Sequence, residues 1–187
     1  YVLPPKDTRK LFKAAAGSIA VGRLALEAFA GLRYTSAARI VKDDLNFAER
    51  GLVMPGKKHK TGRRHYVEGF PENLWAWLES APDQCWSLTQ RQYLIEKGRI
   101  FRAAGLKPET AQSDEDKAQL ARMHNVLRHS FASDALMAGV PLAIVGEMLG
   151  HKQPRTTKRY AHLSNSVVRD ALETTARRIS AASGVLP

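Results

Sequence analysis

Asn125-Val126-Leu127-Arg128-His129-Ser130-Phe131-Ala132-Ser133 opens the most strongly patterned third of this chain. Leu127, Phe131, Ala135 and Leu136 follow helical spacing, and Gly139 closes the run. Pro141 opens the next helix, with Ile144, Val145, Met148 and Leu149 directed inward and Gly150 as its stop. His151 therefore stands just past a helix end. Pro154 opens a short helix that delivers Tyr160. A terminal helix from Ser166 to Ala182 carries Val167, Ala171, Leu172, Ala176 and Ile179 on one face. A domain built this way is mostly α.

The rest of the chain fits that class. Asp7 is placed to cap a helix through Leu11, Phe12 and Ala15. A second helix holds Ile19, Leu24, Leu26, Ala28 and Phe29, and Gly31 marks its end. A short helical piece then carries Arg33 to Ile40. Between Leu45 and Val67 the character changes. Leu52-Val53-Met54 and Tyr66-Val67 are strand-like, and Thr61-Gly62 between them reads as a hairpin turn. This predicts a small antiparallel sheet whose tip carries Lys57, Lys58, Lys60, Arg63 and Arg64. Pro71 suits the first turn of a helix with Leu74, Trp75, Trp77 and Leu78. Another helix spans 89–104 and ends near Gly105, and 107–117 is a solvated loop. The fold class expected is mainly α with a small antiparallel β-sheet, in a single domain over 1–187 with a C-terminal helix and tail over 166–187.

Composition narrows the function classes. The chain has 187 residues, long enough for one substantial core. Twenty-nine basic against 18 acidic residues give a formal charge of +11, a field that attracts polyanions. Nucleic acid is the first partner to consider. No segment reads as a membrane span or a basic amphipathic anchor. Cys85 is the only cysteine, which excludes an internal disulfide and a cysteine-based zinc site. Six histidines are present, but no His-Glu-x-x-His and no clustered Cys/His spacing, so no metal site is expected. No glycine-rich loop ends in Lys-Ser/Thr, which argues against a nucleotide hydrolase. Trp75, Trp77 and Trp86 read as packing residues rather than base-stacking platforms.

Gly31-Leu32-Arg33, Lys60-Thr61-Gly62, Leu127-Arg128-His129-Ser130-Phe131-Ala132, Leu149-Gly150-His151 and Thr156-Thr157-Lys158-Arg159-Tyr160-Ala161-His162 share an order and spacing. In these blocks the chain resembles the catalytic domain of the tyrosine recombinases, or phage integrases, from about residue 7 to about residue 175. The resemblance implies a site-specific DNA recombinase that cleaves and rejoins strands through a 3′-phosphotyrosyl intermediate. It implies double-stranded DNA as partner, four protomers on two duplexes with a monomer when free, no cofactor, no metal and a bacterial cytoplasmic setting. The resemblance is to the family's catalytic domain, and no counterpart of its N-terminal DNA-clamping domain is expected in these residues. The chain opens on Tyr1 rather than Met, and the expectation is a piece of a longer protein.

The chemistry explains the residue types. Attack on a phosphodiester builds negative charge on the free phosphate oxygens, and fixed cationic donors stabilise it. Arginine offers a permanent charge and a planar fork. By resemblance Arg33 and Arg128 take this role, although ninety-five residues separate them. Tyr160 is the implied nucleophile, a phenol with an ordinary pKa of about 10 whose phenolate the arginines favour. Lys60 is the implied general acid for the leaving 5′-oxygen, with Lys57 and Lys58 as alternatives. Lys57, Lys58, Arg63 and Arg64 are implied DNA contacts. His151 is placed to hydrogen-bond a non-bridging oxygen.

Two positions depart from the family. It commonly has a histidine three residues before the second arginine; here Asn125 holds that position and His124 precedes it, so either can serve. An asparagine donates a hydrogen bond but does not shuttle protons near neutral pH. The family also often has an acid three residues after the first arginine, where this chain has Ser36. Two other readings therefore stand beside the recombinase: a catalytically weakened DNA-binding accessory protein on the same fold, and a type IB topoisomerase-like activity that nicks and reseals.

Overall fold

The structure is a computed structural model that describes residues 2–54, 65–106, 123–151 and 153–163. The expected hairpin tip, the 107–117 loop and the C-terminal helix lie outside the described residues. The chain divides into two compact units, Tyr1–Phe131 and Ala132–Pro187.

In the first unit, helices α1 (Pro5–Ala15), α2 (Val21–Phe29), α3 (Tyr34–Ala37), α4 (Glu72–Glu79) and α5 (Gln90–Ala103) surround one core. Strands β1 (Leu45–Asn46), β2 (Gly51–Met54) and β3 (His65–Val67) form an antiparallel sheet in that order. Leu45 faces Leu52, and Leu52 faces Val67. The predicted pair β2 and β3 is present; β1 is an addition, too short at two residues for alternation to reveal it.

Helix α2 lies at the centre, with every residue from Val21 to Glu27 buried. Gly22 permits this, because a Cβ there would stand 2.8 Å from the Trp86 ring. The buried Arg23 serves the neighbouring turn, donating to Leu88 O at 2.7 Å and Trp86 O at 3.2 Å. That turn, Asp83–Ser87, also buries the free Cys85. Phe12 of α1 packs on Phe29 and Trp77 at ring separations of 5.0 and 5.1 Å. Trp75 is fully buried, with Phe47 and Phe70 edge-on to it. The packing role expected for the tryptophans holds for Trp75, Trp77 and Trp86.

Helix ends follow local chemistry. Thr89 caps α5, its hydroxyl accepting from Gln92 N at 3.2 Å while Gln92 Oε1 accepts from Thr89 N at 2.8 Å; such a box is worth ~0.5–2 kcal/mol. Asp7 is not the cap of α1. The helix begins earlier, at Pro5, whose fixed φ suits a first turn, and Asp7 instead pairs with Lys10 at 2.9 Å. Pro71 stands at the cap of α4 rather than inside it.

Helix α6 (Val126–Met137) begins in the first unit and ends in the second. The second unit continues with α7 (Leu142–Met148) and α8 (Pro154–Thr157), followed by a tight turn over Lys158–Leu163. Ala132, Leu136, Val145 and Leu149 are buried there. Ile144 and Met148, expected inward, are 45% and 47% exposed. A seven-residue helix buries one stripe, and the pair Val145 and Leu149, four apart, occupies it. Among the described residues no helix is long and apolar enough to cross a membrane.

Candidate active site

Helix α2 terminates through Gly31, whose φ of +61° is the left-handed conformation that glycine adopts without strain. The amides of Ala30 and Leu32 both return to Leu26 O at 3.2 Å. The chain then turns out, and Arg33 adopts extended geometry as the residue before α3. Its carbonyl accepts from the amides of Ser36 and Ala37 at 2.8 and 2.9 Å. Arg33 is thus fixed between two helix ends, half-buried.

The segment Met123–Asn125 and the start of α6 come to this same place. Arg128, 5% exposed, donates from Nη1 to Gly31 O at 2.5 Å. The second arginine is therefore anchored on the turn that delivers the first, two residues before it. Tyr34 adds another link, its ring stacked on that of His124 at 4.9 Å and 28°. Arg33, His124, Asn125 and Arg128 are borne on two segments joined by these contacts. Asn125 is half-buried, and its Oδ1 is shielded from solvent without a hydrogen-bond partner.

A buried polar cluster braces this assembly from behind. Tyr93 and Lys97 of α5 both reach Glu27 of α2. The Tyr93 hydroxyl donates to Glu27 Oε1. Lys97 Nζ donates to Glu27 Oε2 at 2.6 Å and to the His124 carbonyl at 3.1 Å. Burial pushes the Glu27 carboxyl up and the Lys97 ammonium down from their ordinary values, with each opposing the other's shift by its charge. Burial and the adjacent carboxylate raise the Tyr93 phenol well above its usual value. These residues escaped the sequence reading. A signal existed: Lys97 falls on the same face of α5 as Tyr93, Ile100 and Phe101, where an unpaired lysine would be costly.

In the second unit, Gly150 has φ +62° and ends α7 as expected. The His151 amide donates back to Gly146 O at 2.8 Å, so the residue emerges just past the helix stop. Its Nδ1 lies 2.8 Å from the hydroxyl oxygen of the buried Thr157. Tyr160 sits on the Lys158–Leu163 turn directly after α8 and is 6% exposed. His151 and Tyr160 thus belong to one small set of packed elements. Lys57, Lys58, Lys60, Arg63 and Arg64 lie outside the described residues. Among the described residues no group of three or more His, Cys, Asp or Glu is arranged to hold a metal.

Comparisons with known proteins identify the family and the fold. The phage integrase family pattern matches residues 2–166. The chain belongs to the phage integrase family, whose members are the tyrosine recombinases. It is 30% identical to the tyrosine recombinase XerA of Thermococcus onnurineus over 149 residues, 77% of this chain and 51% of that protein. It is 26% identical to XerC of Lacticaseibacillus casei over 84% of this chain and 56% of that protein. The chain spans about half the length of these relatives. Among solved structures, the XerA recombinase matches with a TM-score of 0.66 at 20% identity, covering 94% of this chain and 65% of that one. The catalytic domain of bacteriophage HP1 integrase matches at 0.65 and 21% identity, covering 92% and 93%. A third, the XerH site-specific recombinase bound to its palindromic difH substrate, matches at 0.60 and 20%, covering 91% and 52%. The fold is that of a tyrosine recombinase catalytic domain.

Proposed function

We propose that this chain is the catalytic part of a site-specific DNA recombinase of the integrase type, with Tyr160 as nucleophile. The carrying observation is the contact from Arg128 to the Gly31 carbonyl, which brings two distant cationic segments to one place. The phenolic oxygen of Tyr160 attacks phosphorus, forming a 3′-phosphotyrosyl bond while the bond to the 5′-oxygen breaks. Lys60 supplies the proton that converts the leaving oxygen to a 5′-hydroxyl. Arg33 and Arg128 hold the phosphate oxygens as charge builds, and His151 adds a hydrogen bond. Asn125 occupies the position of the family's histidine and contributes a neutral donor, with His124, engaged by Tyr34, as the alternative. A second DNA end then displaces Tyr160, so the phosphoester is exchanged rather than hydrolysed.

Double-stranded DNA is the partner this chemistry requires. A charge of +11 favours it, and a structurally similar protein, the Tn1549 transposon integrase, was solved in complex with transposon right end DNA. Lys57, Lys58, Arg63 and Arg64 are assigned to backbone phosphates. Residues 1–187 together form the catalytic domain, and four such protomers act on two duplexes.

A suicide DNA substrate, nicked so that the cleaved strand cannot religate, tests the reading. Wild type should accumulate a covalent protein–DNA product, and Tyr160→Phe should give none. Recombinant product from paired sites distinguishes a recombinase from a nicking-resealing enzyme. Absence of any Tyr160-dependent adduct would leave only a DNA-binding protein on this fold.

A further inference from the structure

We propose that Thr157 is a positioning residue that sets the tautomer of His151. The assignment rests on the reading that His151 meets a phosphate oxygen. The two side chains are 2.8 Å apart, from His151 Nδ1 to Thr157 Oγ1. Thr157 is 3% exposed and closes α8, three residues before Tyr160. Its hydroxyl lies against Gly146 of α7. A Cβ built on Gly146 of α7 would lie 2.9 Å from Thr157 Oγ1, so the bare glycine backbone admits the hydroxyl at this point. The His151 amide bonds the carbonyl of that same Gly146. Backbone and ring of His151 are therefore both referenced to one spot, where α7 and α8 meet.

The chemical consequence follows from the two ring nitrogens. A neutral imidazole carries one N–H, and the hydrogen bond made by one nitrogen decides which. The buried Thr157 hydroxyl has no other acceptor among the described residues, so in this assignment it donates to Nδ1 and the ring proton stands on Nε2. The neutral ring then presents an N–H to an anionic oxygen, so donation persists above the pKa of the imidazolium, ordinarily ~6.5. Without the hydroxyl, the neutral ring loses this contact's bias toward one tautomer. Below that pKa both nitrogens carry protons and the loss matters less. Other ionisable side chains described on the packed elements are Glu147 of α7, Arg155 of α8, and Lys158 and Tyr160 of the following turn; the first three are exposed.

Rates of covalent adduct formation on the suicide substrate, wild type against variant, test this at pH 5.5 and pH 8. Thr157→Val keeps the volume and removes the hydroxyl. Its rate relative to wild type should fall on the order of 10-fold at pH 8, less than the ~100-fold loss of an entire donor, and recover toward unity at pH 5.5. Thr157→Ser should restore the rate at both values. An equal defect at both pH values indicates a merely structural role and overturns the proposal, as does wild-type behaviour of Thr157→Val at pH 8. A measurement without any variant guards against misfolding: ring-nitrogen NMR of histidine-labelled protein should show His151 as the Nε2–H tautomer at pH 8, and an Nδ1–H signal refutes the assignment. Failure of wild type itself to form an adduct would strike the recombinase reading instead.

Discussion

Replacing Lys97 by methionine is the sharpest test of what braces the arginine-bearing segments. The substitution keeps an unbranched apolar stem and deletes the ammonium. Lys97 and Glu27 side chains are 5% and 0% exposed, with 2.6 Å between the charged atoms. At an effective dielectric of about 20 their gross attraction is roughly 6 kcal/mol, much of it offset by the loss of hydration of both ions. Removing one partner strands the other, at a cost of ~3–5 kcal/mol. The His124 carbonyl also loses its donor, adding about 1 kcal/mol. Urea unfolding followed by the buried Trp75 and Trp86 should show it. With a slope of about 2 kcal/mol per molar, the midpoint drops by roughly 2 M. The loss depends on pH. Deleting the ammonium raises the already elevated folded-state pKa of Glu27 further above its unfolded value. The variant is therefore penalised most at and above that folded pKa, and its deficit closes as pH falls toward the unfolded value. Glu27→Leu with Lys97→Met leaves the Tyr93 hydroxyl without its acceptor, ~1–3 kcal/mol, and the His124 carbonyl without the Lys97 ammonium, about 1 kcal/mol, and adding Tyr93→Phe should bring stability to within about 1 kcal/mol of wild type. A loss below about 1 kcal/mol for Lys97→Met alone, or strictly additive effects in the double variant, would refute the reasoning.

Other expectations are simpler. Arg128→Ala should reduce adduct formation by at least ~100-fold while non-specific DNA affinity, carried by many phosphate contacts, changes little; filter binding alongside the suicide substrate separates the two, and parallel loss of both counts against a catalytic role. Gly22→Ala should destabilise by ~1–3 kcal/mol, because the new methyl meets the Trp86 ring at 2.8 Å and the Ala81 Cβ at 3.0 Å; an unchanged thermal midpoint would mean that this packing yields freely.

Much of the layout was legible because glycine and proline punctuate the helices. Gly31, Gly105, Gly139 and Gly150 all have positive φ where a helix end was read. The motif residues were recognisable from type and spacing, and two short strands from their β-branched and aromatic content. The buried Glu27–Lys97 pair was not, since its members stand seventy residues apart and each reads as a surface charge in isolation. Ile144 and Met148 misled for a different reason. On a helix of seven residues, adjacent apolar positions carry no record of which of two neighbouring stripes faces inward. Thr157 was visible as part of a motif, but its partner ring became evident only from the folded turn.

Arg128 rests on a main-chain oxygen, and this has a consequence for tolerance to change. A carboxylate in the same place would titrate in mild acid, vanish with one codon change, and cancel part of the guanidinium's charge. The Gly31 carbonyl does none of these things. No side-chain replacement at residue 31 deletes that acceptor; a substitution there acts only by disturbing the left-handed turn that aims it. The hold on Arg128 through this contact is thus insensitive to acidity and itself sets no opposing charge against the guanidinium.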